Sequence, residues 1–156
     1  MTRDSKAPQL LLTAAWLIHI AAWFSPVMKG GVTLPKGLPG WEAFMVATNA
    51  CFSTTASPAW YFRPLCGLSS LSTILFVLIS PWILWRGSTH LHRLSAWIAA
   101  SAFIVNTHWF FLLGSDRADL RIGYYLWWGS FLVLSAGLFA LAGQSQPEPL
   151  AKAHSA

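Results

Sequence analysis

IGYYLWWGSFLVLSAGLFALA, residues Ile122–Ala142, contains no charged side chain. A helix rises 1.5 Å per residue, so about 20 such residues cross the ~30 Å hydrocarbon core of a bilayer. The apolar residues fall on every side of that helix, which leaves it no face to turn to water. Tyr124, Tyr125, Trp127 and Trp128 crowd its beginning.

Three further runs read the same way, over about 9–27, 64–85 and 91–113. The fold class that follows is all-α integral membrane, with four transmembrane helices (about 9–27, 64–85, 91–113 and 122–142). The chain is 55% hydrophobic and 10% charged, with a mean hydropathy of +0.52. A soluble domain carries ~25% charged residues, and a soluble bundle would need a charged helix face. Residues 1–143 form a single transmembrane domain, and 144–156 a flexible polar tail. The net charge of +5 is scattered over loops and tails without a patch. It suits lipid headgroups rather than nucleic acid.

Consecutive spans alternate in direction. Trp23 and Phe24, then Trp60, Tyr61 and Phe62, then Trp109 and Phe110, then Tyr124 to Trp128 therefore share one side. Arg3 and Lys6 precede an apolar stretch with no small-x-small cleavage site, which reads as a retained signal-anchor helix. Basic residues divide equally between the two sides, so the first helix decides the orientation: both termini cytoplasmic, the aromatic side outward.

The longest connection, from about Met28 to Arg63, is too long for a plain turn. Its Gly- and Pro-rich part, 29–40, should be irregular. In 41–52, Trp41, Phe44, Met45, Thr48 and Phe52 recur at helical spacing. This predicts a short interfacial helix, or a re-entrant one. Gly87, Gly114 and Gly143 each follow an apolar run, where a helix commonly ends. Asp116 and Asp119 have the spacing of an N-terminal cap for the fourth helix, and Pro81 is placed to kink the second.

Candidate chemistry is sparse. His19 lies mid-span, and an ionisable group there is a functional hypothesis. The plainer reading is a neutral ring hydrogen-bonded to a neighbouring helix. Asn106 reads as glue between helices. His108 and His19 stand at about 25 Å and about 15 Å from the inner ends of their helices, which does not suit a shared haem. His90 and His92 read as a solvated rim rather than a metal site. Cys51 and Cys66 are either a disulfide tying the loop helix to the second span or free buried thiols. Small residues recur in the third run (Ala96, Ala99) and the fourth (Gly137, Ala140), for packing within the bundle or against a partner. Every acidic residue falls outside the four runs, which weighs against a proton-coupled transporter. No catalytic arrangement, metal site or cofactor is read from the sequence.

Three segments, Gly40-Trp41-Glu42-Ala43-Phe44, Arg63-Pro64-Leu65 and Gly123 to Phe131, resemble a group of small uncharacterised bacterial inner-membrane proteins. The resemblance implies a four-span layout and a bacterial inner-membrane location. It implies no activity.

Function is then read three ways. The first is a non-enzymatic protein acting by contact, an accessory subunit or immunity-type partner in the lipid bilayer, with other membrane subunits or as a homo-oligomer. The second is a binder of a lipid, quinone or other amphipathic molecule. The third is a haem or metal redox protein using His19 and His108. For the first two, the expected face is Trp41, Phe44, Trp60, Tyr61, Trp109, Tyr124, Tyr125, Trp127 and Trp128.

Overall fold

The computed structural model describes residues 6–30, 37–52, 61–82 and 88–144. Helix α1 (Ala7–Phe24) leads into strands β1 (Pro26–Met28) and β2 (Leu38–Pro39) and helix α2 (Gly40–Phe52). Helix α3 (Phe62–Ile74) runs on through a π turn at Leu75–Ile79. Helices α4 (Thr89–Asn106) and α5 (His108–Leu112), a 3-10 turn at Gly114–Asp119 and helix α6 (Ile122–Gln144) complete the order. Four helical stretches are long and apolar enough to cross a membrane: Ala7–Phe24, Phe62–Trp82, Thr89–Leu112 and Ile122–Gln144.

The expected runs differ from these at their ends for local reasons. α1 stops at Phe24 because Ser25 is already extended (φ −89°, ψ 148°) and Pro26 opens β1. Pro64 sits in the first turn of α3, where its missing N–H is no loss. Ahead of Pro81, the π turn widens the helix and relieves the clash between the proline ring and the preceding carbonyls. Gly114 takes φ +52° beyond α5, as a helix end favours. Gly143 does not end α6, which continues to Gln144. Gly87 and the tail beyond Gln144 lie outside the described residues.

Asp116 and Asp119 do not cap α6 either. Both belong to the 3-10 turn, and Leu120 and Arg121 intervene before the helix. The backbone here is drawn to β1 instead: Lys29 N–H donates to the Asp119 carbonyl (2.7 Å) and Arg121 N–H to the Val27 carbonyl (2.8 Å). β1 also pairs antiparallel with β2, Met28 opposite Leu38. The stretch expected to be irregular thus supplies part of a ribbon. Gly37, at φ +83°, makes the ribbon possible, since a Cβ there would lie 2.5 Å from the Met28 carbonyl oxygen.

α6 is the central helix. Leu12 packs on Gly137, and Ser25 lies against Gly123, so α1 runs antiparallel to α6. Ser135 donates to the Ala96 carbonyl (2.9 Å) and Trp128 to the Phe103 carbonyl (2.8 Å), so α4 is antiparallel too. Ala96 and Ala99 are buried, so the small residues of α4 pack within the bundle. α3 runs parallel to α6 but stands further off, reaching it through Phe76 on Phe131 and Thr73 on Trp127. This alternation gathers Trp23, Phe62, Trp109 and Tyr124 at one end, as their spacing predicts.

Close approach at Gly123 sets the α1–α6 register. A Cβ there would meet the Ser25 and Pro26 carbonyl oxygens at 2.6 Å and 2.7 Å, whereas at Gly129 it would meet nothing within 4 Å. Gly123→Ala should therefore lower unfolding free energy in detergent by about 1–3 kcal/mol. Gly129→Ala should be neutral or stabilise, by up to about 1 kcal/mol. Equal effects of the two substitutions in a detergent-denaturation titration would contradict this packing.

Candidate functional site

A cavity of about 290 Å³ occupies the aromatic end of the bundle. Its walls are the end of α1, α2, α3 from Phe62 to Thr73, α5 and the start of α6. Val27, Met28, Leu38 and Leu120, held by the ribbon, close one side. No residue lining it carries a formal charge. An engineered apolar cavity of ~150 Å³ holds one benzene, so this one has room for a small ligand.

Two local causes leave the space open. The first is α2. Ala43, Ala47 and Ala50, spaced as i, i+4 and i+7, turn the small face of that helix to the cavity. Of the residues whose spacing identifies this helix, Trp41, Met45 and Phe52 are exposed. Periodicity identifies the helix but not which face the protein uses. Phe44 does turn in, stacking on Trp23 with centroids 5.8 Å apart. α2 runs from Ala22 and Trp23, where Gly40 abuts α1, to Gly67 of α3, where Cys51 packs.

The second cause is the gap between α3 and its neighbours, spanned by indoles. Trp127 Nε1–H donates to the Thr73 hydroxyl (3.0 Å) and Trp109 Nε1–H to the Ser69 hydroxyl (2.9 Å). Ser69 donates in turn to Asn106 Oδ1 (2.7 Å). Asn106 is fully buried, donates its amide to the Ala102 carbonyl (2.8 Å) and accepts the Tyr124 hydroxyl on its own carbonyl (3.1 Å). It ties α3, α4 and α6 together, the role of glue that its position suggests. Hydrogen bonds that hold each rigid ring across the gap keep the helices apart as well as joined.

Phe44, Trp109, Tyr124 and Trp127 of the expected face line the cavity. Tyr61 and Tyr125 are exposed at its exterior. Trp128 turns to α4, where it stacks on Phe103 at 4.5 Å. Trp60 lies outside the described residues. Cys51 and Cys66 are free thiols, and Cys66 is buried against the cavity. The sequence reading missed Ser69, Ser70 and Thr73. Their signal was available: hydroxyls bunched in an apolar run have to find partners.

His19 is buried away from this cavity. Its ring stacks on Phe76 at 4.0 Å, and Nδ1 lies 2.9 Å from Ser130 Oγ. Ser130 has one proton, which it donates to the Trp127 carbonyl (2.6 Å), so His19 Nδ1 is the donor in their bond. His108 Nδ1 donates to the Val105 carbonyl (2.5 Å). The two histidines thus have separate neighbours. Among the described residues, no three of His, Cys, Asp and Glu gather as a ligand set for a metal.

A smaller cavity of about 80 Å³ lies between the π turn, α4 and α6. The hydroxyls of Ser72, Ser80 and Ser95 beside it donate to the Leu68, Phe76 and Leu91 carbonyls of their own helices.

Compared with protein-family models, with curated proteins and with solved structures, the chain shows no match.

Ser69 is the node of the polar wall, accepting from one helix and donating to another. Ser69→Ala should cost about 1–2 kcal/mol of unfolding free energy, by stranding Asn106 Oδ1 and the Trp109 N–H. Ser95→Ala, at an exposed hydroxyl bonded within its own turn, should cost under about 0.5 kcal/mol. Denaturant titrations giving the two variants the same stability would contradict the node.

Proposed function

We propose that this multi-pass membrane protein binds a small apolar or amphipathic molecule in the chamber behind α2. The observation that carries the reading is an uncharged cavity of about 290 Å³, walled by elements from four parts of the chain. Concave apolar chambers between helices are the common form of a ligand site. The lining also favours binding over catalysis. The Tyr124, Ser69 and Thr73 hydroxyls each donate their one proton within the protein, which leaves none to give to a ligand.

A purely contact-based role has less support. The small residues that suggested a partner face, Ala96, Ala99 and Gly137, pack against neighbouring helices of the same chain. We place the protein in the bacterial inner membrane with both termini cytoplasmic, on the resemblance and on Arg3 and Lys6. The chamber then lies toward the periplasmic side.

Native mass spectrometry of protein released from a mild detergent tests the reading. The wild type should carry a small-molecule adduct at one per chain. Ala47→Trp, which fills the chamber, should lose the adduct while keeping its helical circular dichroism. Bare wild-type protein, or an adduct retained at full occupancy by Ala47→Trp, would contradict it.

A further inference from the structure

We infer that the chamber selects an unbranched hydrocarbon chain of about a dozen carbons, in preference to a ring bearing carbonyl groups. The inference rests on the binding role proposed above and narrows it to a ligand class. The chemistry is that of an acyl or alkyl chain, whether free or part of a membrane lipid.

The donors around the chamber are the first argument. Trp109 N–H is spent on Ser69, Trp127 N–H on Thr73, and the Tyr124 hydroxyl on the Asn106 carbonyl. The Ser69 hydroxyl goes to Asn106, and the Thr73 hydroxyl to the Ser69 carbonyl at 3.2 Å. Thr48 donates to the Phe44 carbonyl at 2.8 Å, and its oxygen pairs with Ser70 at 3.1 Å. A quinone carbonyl entering here would meet only the weak S–H donor of Cys66, or break one of these bonds, and both are costly away from water. A hydrocarbon chain asks for no hydrogen bond.

Size is the second argument. If ~150 Å³ accommodates the six carbons of benzene, about twice that volume accommodates about twelve. The third is access. The ribbon closes its side with backbone bonds, at Lys29 to Asp119, Arg121 to Val27 and Gly40 to Ser25. α2, in contrast, has no buried residue along its whole length. Val46 both lines the chamber and is 58% exposed, so the wall there is one helix thick. On the outside of a membrane-embedded bundle, that wall faces lipid, the medium in which such chains are dissolved. A chain leaving the bilayer gains little from the hydrophobic effect, since its surroundings are already apolar. It gains close contact with fixed rings and fills a void whose lining otherwise lacks partners.

Tryptophan quenching by bromine tests this, because Trp23, Trp109 and Trp127 line the chamber. The protein is held in a sterol-based detergent, which has no alkyl chain. It is titrated separately with 12-bromododecanol, with a phospholipid carrying one brominated chain, and with 1,4-naphthoquinone, itself a quencher. Saturable one-to-one quenching by either brominated chain is expected, with naphthoquinone giving an unsaturated, linear response. Saturation by bromododecanol alone assigns the site to free chains, and saturation by the phospholipid assigns it to membrane lipid. Ala47→Phe and Ala43→Leu should each weaken the saturable binding by about tenfold or more, while Gly129→Ala, outside the chamber and with nothing within 4 Å of the added methyl, should leave it unchanged.

Saturable naphthoquinone binding without saturable chain binding would overturn the chain selectivity and leave the binding role standing. No saturable quenching by any of the three would overturn both. Undiminished chain binding by Ala47→Phe and Ala43→Leu would place the chain elsewhere and overturn the assignment to this chamber.

Discussion

Indole N–H groups bonded across a gap hold this structure in its shape. Trp127 reaches Thr73 and Trp109 reaches Ser69, in each case from another helix to α3. An indole is rigid, and when buried its single N–H needs an acceptor. The hydroxyls of α3 lie in an apolar span, where they too need partners. The two requirements meet at a separation set by the ring. α3 therefore cannot close on α6 as α1 and α4 do, and the chamber is the space that remains. Its polarity follows from the same bonds, because the groups that frame it are satisfied by one another.

The remaining architecture supports that separation. α6 can take α1 and α4 on opposite flanks because Gly123 and Gly137 admit α1, and Ala96 and Ala99 bring α4 close. His19, stacked on Phe76 and bonded to Ser130, fixes the middle of the bundle. At the end of the bundle the ribbon joins the start of α2, the end of α1 and the approach to α6 through backbone bonds alone. α2 is then positioned at both ends, by Gly40 against α1 and by Cys51 against Gly67. It can wall a void without a buried side chain of its own.

The four spans were legible in the sequence because hydropathy and length depend on the solvent, and the solvent here is lipid. The gathering of rings at one end followed from alternation alone. What was not legible depended on tertiary choice. Trp127 and Trp128 are adjacent and chemically identical, yet 100° of helix rotation sends one to the chamber and the other to Phe103. The stripe from Trp41 to Phe52 located α2 correctly but did not give its inward face, and Trp41, Met45 and Phe52 are exposed, since lipid accepts large apolar side chains as readily as a protein core does. Asp116 and Asp119 had capping spacing, but pairing with β1 took their backbone away from α6. Strands of two and three residues are too short to show a period, so the ribbon left no pattern.

If the indole-to-hydroxyl bonds hold α3 away from α6, the chamber persists when no ligand is bound and stays apolar enough to take up an inert gas. Diffraction from crystals pressurised with xenon measures this directly, since dry apolar cavities bind xenon. The account predicts ordered xenon between Ala47 of α2 and Trp127 of α6, with both indole bonds intact. A collapsed gap with no xenon there, or α3 packed directly on α6, would contradict it.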